Sequence, residues 1–475
     1  MAHESFPRMH PLLKQSPSEI GIIHFTGIGG VGMSGIAQLL HQQGYHVQGS
    51  DQSDSFFVQS LRNLGIPVSI GHSPEYIQGV RVLVISSAVG FDNIEVQTAR
   101  SMGIPVLKRA QFLGELMRSR VGIAVAGTHG KTTTTSLIAA LLDQASLDPT
   151  VVTGGVMNQY SNTMRIGRGD LMVVEADESD GSLLHLPAQI GIVTNIDPDH
   201  MEFYKTNEAL QDVFLRFLNQ IPFYGLGIVC VDCPWVRALC TEIHSTPLIR
   251  YGFHEDAQIR ALNVRMSARG MAFDARFPDG SLWENLTLAL YGNHNVQNAL
   301  AVLALAYHLK LGRDIVEAVF SSFAGVKRRF TQTGVVDGVR VIDDYAHHPV
   351  EIQAVLKAAK GLCEGRVIVV CQPHRYSRVS DLFDAFKTCF HGADELVLLP
   401  IYAAGETPLS VSSEKLQKEV VGVLGGVVHL SNFEEVAPYL RARLKPLDML
   451  LCLGAGNITQ LAYRLPQELS SALSI

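Results

Sequence analysis

The stretch Ala126-Gly127-Thr128-His129-Gly130-Lys131-Thr132-Thr133-Thr134-Thr135 constrains this chain more than any other. A β-rich run, Val121 to Val125, leads in, and an apolar-periodic helix over Thr132 to Ala145 leads out. Strand, glycine turn, Lys-Thr and helix is the arrangement that cradles a nucleoside triphosphate. Backbone N–H groups face the phosphates, the lysine reaches the β/γ oxygens and the hydroxyl holds Mg²⁺. The alternative is a glycine turn with a surface lysine, and the strand–turn–helix context argues against it. Gly127, Thr128, His129, Gly130, Lys131, Thr132 and Thr133 are therefore nucleotide-site candidates. The first glycine of the longer G-x-x-x-x-G-K-[ST] pattern is replaced by Val125, leaving the short form.

A chain of 475 residues has room for two to four domains with real cores. Its 47% hydrophobic and 17% charged residues describe a compact chain, and a net charge of -7 argues against a general nucleic-acid binder. Seven cysteines are scattered and odd in number, and Cys230 and Cys233 form one C-x-x-C with no second pair at zinc spacing. Buried or incidental thiols are expected. The first twenty residues lack an apolar core, and no 18-residue uncharged apolar span occurs, so no membrane insertion and a reducing cytoplasm are expected.

Before the P-loop, Gly21 to Thr26 reads as a strand running into Gly27-Ile28-Gly29-Gly30-Val31-Gly32, then a helix over Met33 to Gln43. A second strand ends at Gly49-Ser50-Asp51, which completes the dinucleotide fingerprint with its acidic residue. With 42 glycines in the chain, roughly 0.3 bare matches arise by chance, so the flanking βα context carries the reading. A diphosphate-binding turn follows, without a choice between a nicotinamide cofactor and another diphosphate. Gly71-His72 and Ser86-Ser87 lie at strand ends, where open α/β sheets bind ligands.

After the P-loop, Leu171 to Val174 closes on Glu175-Ala176-Asp177-Glu178-Ser179-Asp180. Such a carboxylate cluster needs a cation or solvent, and Glu175 is the natural Mg²⁺ partner of Thr132. A third strand, Ile190 to Thr194, delivers His200, a candidate for a second cation or a phosphate. Residues 257 to 290 read as a β-meander, and His294, Asn295 and Asn298 open a long helix to Leu311. Those amides suit an adenine edge or a helix cap equally well.

Lys327-Arg328-Arg329-Phe330 resembles a hinge, and βα alternation then resumes. Strands are expected at 341–342, 366–371, 395–398, 427–430 and 448–453, with helices over Val379 to Phe390 and Phe433 to Leu444. Asp343-Asp344-Tyr345-Ala346-His347-His348-Pro349 and Gln372-Pro373-His374-Arg375-Tyr376-Ser377-Arg378 sit at strand ends. Paired arginines there suit a carboxylate or phosphate. A diphosphate turn, an ATP site and an Arg/His unit suggest two substrates joined at the expense of ATP.

The ordered set HFTGIGGVGMSGIA, GTHGKTTT, EADESD, TNIDPDH, GNHNVQNA, GVKRRF, DDYAHHPVEI and QPHRYSR resembles the Mur ligase family of bacterial cell-wall synthesis over nearly the whole chain. The short P-loop is that family's own form. The resemblance implies an α/β protein of three domains: a Rossmann-like UDP-N-acetylmuramate domain (1–118), a central P-loop ATP domain (119–326) and a Rossmann-like amino-acid domain (327–475). It implies an ATP-dependent ligase that joins L-alanine to the lactyl carboxylate through an acyl phosphate, acting as monomer or homodimer with Mg²⁺ or Mn²⁺.

By the same resemblance, Gly29, Gly30, Val31 and Gly32 hold the diphosphate, with Asp51, His72, Ser86 and Ser87 near the uridine or sugar. Lys131 and Arg329 serve the phosphates, Thr132, Glu175 and His200 the metals, and His294, Asn295, Asn298 and Asp344 the nucleoside side of ATP. Tyr345, His347, Arg375 and Arg378 form the L-alanine end. Related ligases carry a carbamylated lysine roughly fifteen residues past His200, where Leu215 and Arg216 stand here. The rivals are a murein tripeptide-recycling ligase, an NAD-dependent dehydrogenase and a non-enzymatic nucleotide switch.

Overall fold

Three sheets, each flanked by helices, account for the chain, and a computed structural model describes residues 17–470 apart from Ser87 and Ser161. The candidate Ser87 thus lies outside the described residues. The first sheet is wholly parallel, from β1 (Ile22–Thr26), β2 (His46–Asp51), β3 (Val68–Ile70), β4 (Val80–Ile85) and β5 (Val106–Lys108), in the order β3-β2-β1-β4-β5. Its strand order reverses beside β1, so the glycine turn after β1 opens on the crevice where such sheets bind ligands.

The central sheet contains β6 (Val121–Ala126), β7 (Thr150–Met157), β8 (Asn162–Arg165), β9 (Leu171–Glu175), β10 (Ile190–Val193), β11 (Leu226–Cys230), β12 (Leu248–Gly252), β13 (Ile259–Ser267), β14 (Gly270–Arg276) and β15 (Leu282–Leu288). The order is β15-β14-β13-β12-β11-β10-β6-β9-β7-β8. The expected meander is the antiparallel edge β13–β15. The P-loop strand β6 sits between β9 and β10, so the acidic loop and TNIDPDH emerge on either side of it.

In the helix Lys131–Gln144 four threonines and a serine follow Lys131, each disfavouring helix by up to roughly 0.7 kcal/mol. Leu137, Ile138, Leu141 and Leu142 are fully buried behind them, at about 1.5–3 kcal/mol each. Burial wins, and the hydroxyl-rich turn stays helical at the phosphate end.

The third sheet contains β16 (Thr331–Val336), β17 (Val339–Asp344), β18 (Val367–Cys371), β19 (Glu395–Leu398), β20 (Val427–His429) and β21 (Met449–Leu453), in the order β16-β17-β21-β18-β19-β20. Two expected helices differ. The one over Val379 to Phe390 is split into Tyr376–Asp381 and Phe383–Thr388, with Leu382 outside helical geometry. The break lets Arg378 and Val379 face inward from one segment and Phe386 from the next. The other, over Phe433 to Leu444, is a 3₁₀ turn, Phe433–Glu435, followed by Val436–Arg441. Pro438 has no N–H to donate, which confines it to the first turn of a helix that starts late.

One buried core is continuous between the first sheet and a face of the central one, where Met33, Ile36, Leu113 and Leu116 meet Val152, Met164 and Met172. The third sheet has its own core on each face. All seven cysteines are free, and burial pushes the Cys230 thiol up to about 12. Among the described residues no helix is long and apolar enough to cross a membrane.

Candidate active site

The end of β10 builds the glycine turn that follows β6. Asn195 O accepts from Thr128 N (3.1 Å), and Asn195 Oδ1 accepts from His129 N (2.8 Å). The Thr128 hydroxyl exchanges hydrogen bonds with Asp197 O and Asp197 N at 3.2 and 2.9 Å. Gly127 and Gly130 have φ of 131° and 81°, and a Cβ on them would collide with Thr194 Oγ1 and Asn298 Oδ1. Both positions therefore require glycine.

Lys131 and Thr132 follow at the helix start. Lys131 Nζ donates to Gly127 O (2.6 Å) and lies 2.7 Å from Glu178 Oε2. Burial alone would pull Lys131 down, but Glu178, with Glu175 and Asp177 behind it, raises it. Burial pushes the Glu178 carboxyl up, against the pull of Lys131. Thr132 Oγ1 donates to Glu175 Oε1 (2.9 Å), and Glu175 Oε2 accepts from Thr153 Oγ1 and Gly154 N, both at 2.7 Å. Hydroxyl and carboxylate thus form a paired set of hard oxygen donors. Sequence reading singled out Glu175 but not Glu178, although both lie in one acidic loop.

A cavity of about 710 Å³ opens from this turn, within the size range of ligand pockets. His129, Gly130 and Thr133 of the P-loop, His294, Asn295 and Asn298 of the central unit, and Arg329, Phe330, Asp344 and Glu351 of the third unit line it together. Asn298 Nδ2 donates to Asn295 Oδ1 (3.2 Å), and Asn295 Nδ2 donates to Tyr291 O (2.8 Å). His294 is pulled down to about 4 by burial and by Arg329, so it is a neutral ring. Asp344 accepts Phe330 N (2.7 Å) and Ala346 N (2.8 Å), and burial pushes its carboxyl up to about 6. Asn158, Tyr251 and Phe323 also line the cavity, from segments with no motif to flag them.

The third unit reaches the central one through its loop ends. Arg378, with a side chain only 6% exposed, holds Asp199 through both Nε (3.2 Å) and Nη2 (3.0 and 3.1 Å). Burial would raise the Asp199 carboxyl, yet Arg378 holds it well below the usual range. Arg375 Nη1 donates to Glu202 Oε1 (2.8 Å). His200 stands between these partners, 3.7 Å from both Asp199 and Glu202, at a φ of 56°. The expected carboxylate-binding arginines are thus already paired with carboxylates of the chain. Tyr345 lies under the guanidinium of Arg329, 5.3 Å from its ring centroid, and 5.2 Å from the His347 ring. Among the described residues no cluster of three or more His, Cys, Asp or Glu is arranged to hold a metal. Leu215 packs on the core and Arg216 pairs with Asp212 at 3.7 Å.

In the first unit Gly29 N donates to Asp51 Oδ2 (2.8 Å), so the acidic residue closes on the glycine turn itself. Gly30 caps the helix that begins at Val31. Arg109, unforeseen, packs against Gly32, where a Cβ would stand 2.9 Å from its Nη1, and reaches to 3.8 Å of Asp177. Ser86 N donates to Thr26 O (3.2 Å). His72 Nδ1 lies 3.1 Å from Ser50 Oγ, which donates to Glu95 Oε2 (2.7 Å). Thr26 Oγ1 (2.6 Å) and His24 Nε2 (3.3 Å) meet the same oxygen. Burial pushes Glu95 up, but these hydrogen bonds win and hold it at about 2.

The units that carry the glycine turn, the P-loop and the Arg/His loops match three family models in sequence. "Mur ligase family, catalytic domain" covers residues 22–121, "Mur ligase middle domain" 125–306 and "Mur ligase, glutamate ligase domain" 328–456. The chain belongs to the Mur ligase family. The UDP-N-acetylmuramate–L-alanine ligase of Paramagnetospirillum magneticum is 50% identical over 95% of this chain and 96% of that protein. That of Brucella anthropi is 48% identical over 96% and 98%. The crystal structure of UDP-N-acetylmuramate–alanine ligase from Thermotoga maritima superposes with a TM-score of 0.78 at 27% identity, covering 95% of this chain and all of that one. The loops after β17 and β18 thus meet the P-loop and the loop after β10 at the interface of the central and third units.

Proposed function

We propose that this Mur ligase joins L-alanine to the lactyl carboxylate of UDP-N-acetylmuramate, with ATP giving ADP and phosphate, in cytoplasmic peptidoglycan precursor synthesis. The observation that carries this reading is the P-loop cavity, lined also by Arg329 and Glu351 of the third unit. The near-half identity to alanine-adding ligases favours that substrate over a murein tripeptide.

In this reading residues 1–118 hold the UDP-sugar, 119–326 ATP and 327–475 the amino acid. A lactyl carboxylate oxygen attacks the γ-phosphorus and ADP leaves; the alanine amine then attacks the acyl carbon and phosphate leaves. Lys131 leaves Glu178 to meet the β/γ-phosphates, and Arg329 takes up charge on the γ-phosphoryl group. Thr132 and Glu175 would hold Mg²⁺, or Mn²⁺, and His200 would contribute to a second ion; such ions would supply charge neutralisation at the phosphates. Arg378 exchanges Asp199 for the alanine carboxylate, beside Arg375, Tyr345 and His347. Docking of the third unit excludes water from the acyl phosphate.

The test mixes the protein, as monomer or homodimer, with ATP, Mg²⁺, UDP-N-acetylmuramate and single amino acids, and follows phosphate release. L-alanine should stimulate release. Preference for the tripeptide would move the assignment to the recycling ligase, and no amino-acid dependence would refute it.

A further inference from the structure

The interface between the central and third units contains polar contacts besides those of Arg375 and Arg378. Glu351 Oε1 lies 3.2 Å from His129 Nδ1 in the P-loop, and His129 Nε2 lies 3.1 Å from Asp197 Oδ2. The other Glu351 oxygen accepts the backbone N–H groups of His347 (3.1 Å) and His348 (3.3 Å), a capping box that fixes the carboxylate at the start of the helix Pro349–Leu362. The His348 ring stands 4.8 Å from that of His129, and its Nε2 meets Pro198 O at 3.2 Å.

We propose that His129 and Glu351 are a positioning pair: the P-loop imidazole, braced by Asp197, is the strut on which the third unit docks, so the phosphate-binding turn and the amino-acid loops are aligned together. This inference rests on the ligase reading above. Both ring nitrogens of His129 lie within 3.2 Å of carboxylate oxygens, and its backbone N–H is committed to Asn195 Oδ1. Burial pulls against the charge of this ring, but the two carboxylates raise it to about 9, so the strut is an imidazolium. The other inter-unit pairs behave differently. Arg378–Asp199 opens once an alanine carboxylate takes the guanidinium, whereas His129–Glu351 uses neither arginine assigned to the alanine carboxylate, and Arg329 Nη1 stands 3.8 Å from the same Glu351 oxygen.

The experiment is a double-mutant cycle on the full chain with all three substrates and Mg²⁺, using His129→Gln, Glu351→Gln and the double variant. Each single change should lower kcat by roughly 10-fold with little change in KM for UDP-N-acetylmuramate, and the double variant should be no worse than the singles. Multiplicative losses, or an unchanged kcat, would overturn the pairing. Glu351→Asp keeps the charge but falls one methylene short, and should behave like Glu351→Gln; wild-type kcat in that variant would also overturn it. A second readout is small-angle scattering of parent and Glu351→Gln with UDP-N-acetylmuramate and a non-hydrolysable ATP analogue. The variant should have the larger radius of gyration, and identical profiles would contradict the strut. This arm does not depend on which amino acid is joined, so failure of the alanine assignment and failure of the strut are separable.

Discussion

Replacing Lys131 with alanine should abolish turnover, and the structure predicts a second effect that catalysis alone would not. Glu178 is 2% exposed and loses its cationic partner in that variant. A buried carboxylate left unpaired escapes by taking up a proton. Protonating a carboxyl of ordinary value 4.5 at pH 7 costs about 3.4 kcal/mol, at about 1.4 kcal/mol per pH unit. That figure is a ceiling, reached only if burial raises the folded-state value as far as the solution pH. The sign follows from linkage: the folded variant binds more protons at Glu178 than the unfolded chain does. Its deficit relative to the parent is therefore absent below pH 4.5 and grows as pH rises towards the folded-state value. Urea unfolding of parent and Lys131→Ala at pH 5 and pH 7.5 should show the variant about 1–3 kcal/mol less stable at the higher pH and near parity at the lower. Adding Glu178→Gln should restore stability at pH 7.5 without restoring phosphate release. A pH-independent deficit would refute the buried pair, and recovered turnover in the double variant would refute the phosphate role of Lys131. UDP-sugar binding, followed by calorimetry, should survive in the single variant.

Three further outcomes follow from the geometry. Arg378→Ala should raise the apparent KM for L-alanine by about 10- to 100-fold, the loss of a charge-assisted bidentate contact, and an unchanged alanine dependence would count against its role. Glu95, held at about 2, contributes stability that is present above its ordinary 4.5 and is lost as pH falls through about 2; Glu95→Gln should flatten that acid loss, measured by urea midpoints at pH 5 and pH 3. Chelation should abolish phosphate release and Mg²⁺ restore it, while Glu175→Gln should raise the Mg²⁺ concentration needed for half-maximal rate.

Local chemistry explains what was legible in the sequence. The P-loop, the Gly27–Gly32 turn and the β-meander each encode their geometry within about thirty consecutive residues, through glycine spacing and apolar periodicity. The partners that hold the site together are not local. Lys131 and Glu178 are 47 positions apart, Arg378 and Asp199 are 179 apart, and His129 and Glu351 are 222 apart. No periodicity links such pairs, so Glu178, Glu351 and Asp199 were legible only as members of the EADESD, DDYAHHPVEI and TNIDPDH runs. Glu95 was less visible still, since a helix-borne glutamate ordinarily faces solvent, and four polar neighbours from β1, β2 and the loop after β3 draw this one inside. The split at Leu382 was not legible either: the apolar period reads as one helix, and the non-helical backbone of Leu382 interrupts it.

The central claim is that this P-loop activates a carboxylate rather than hydrolysing ATP. Its most direct test supplies UDP-N-acetylmuramate labelled with ¹⁸O in the lactyl carboxylate, together with ATP, Mg²⁺ and L-alanine, and analyses the released phosphate by mass spectrometry. An acyl phosphate requires one carboxylate oxygen to leave with the phosphoryl group, so each phosphate formed in step with the amide should carry one ¹⁸O. Unlabelled phosphate accompanying amide formation would contradict the account.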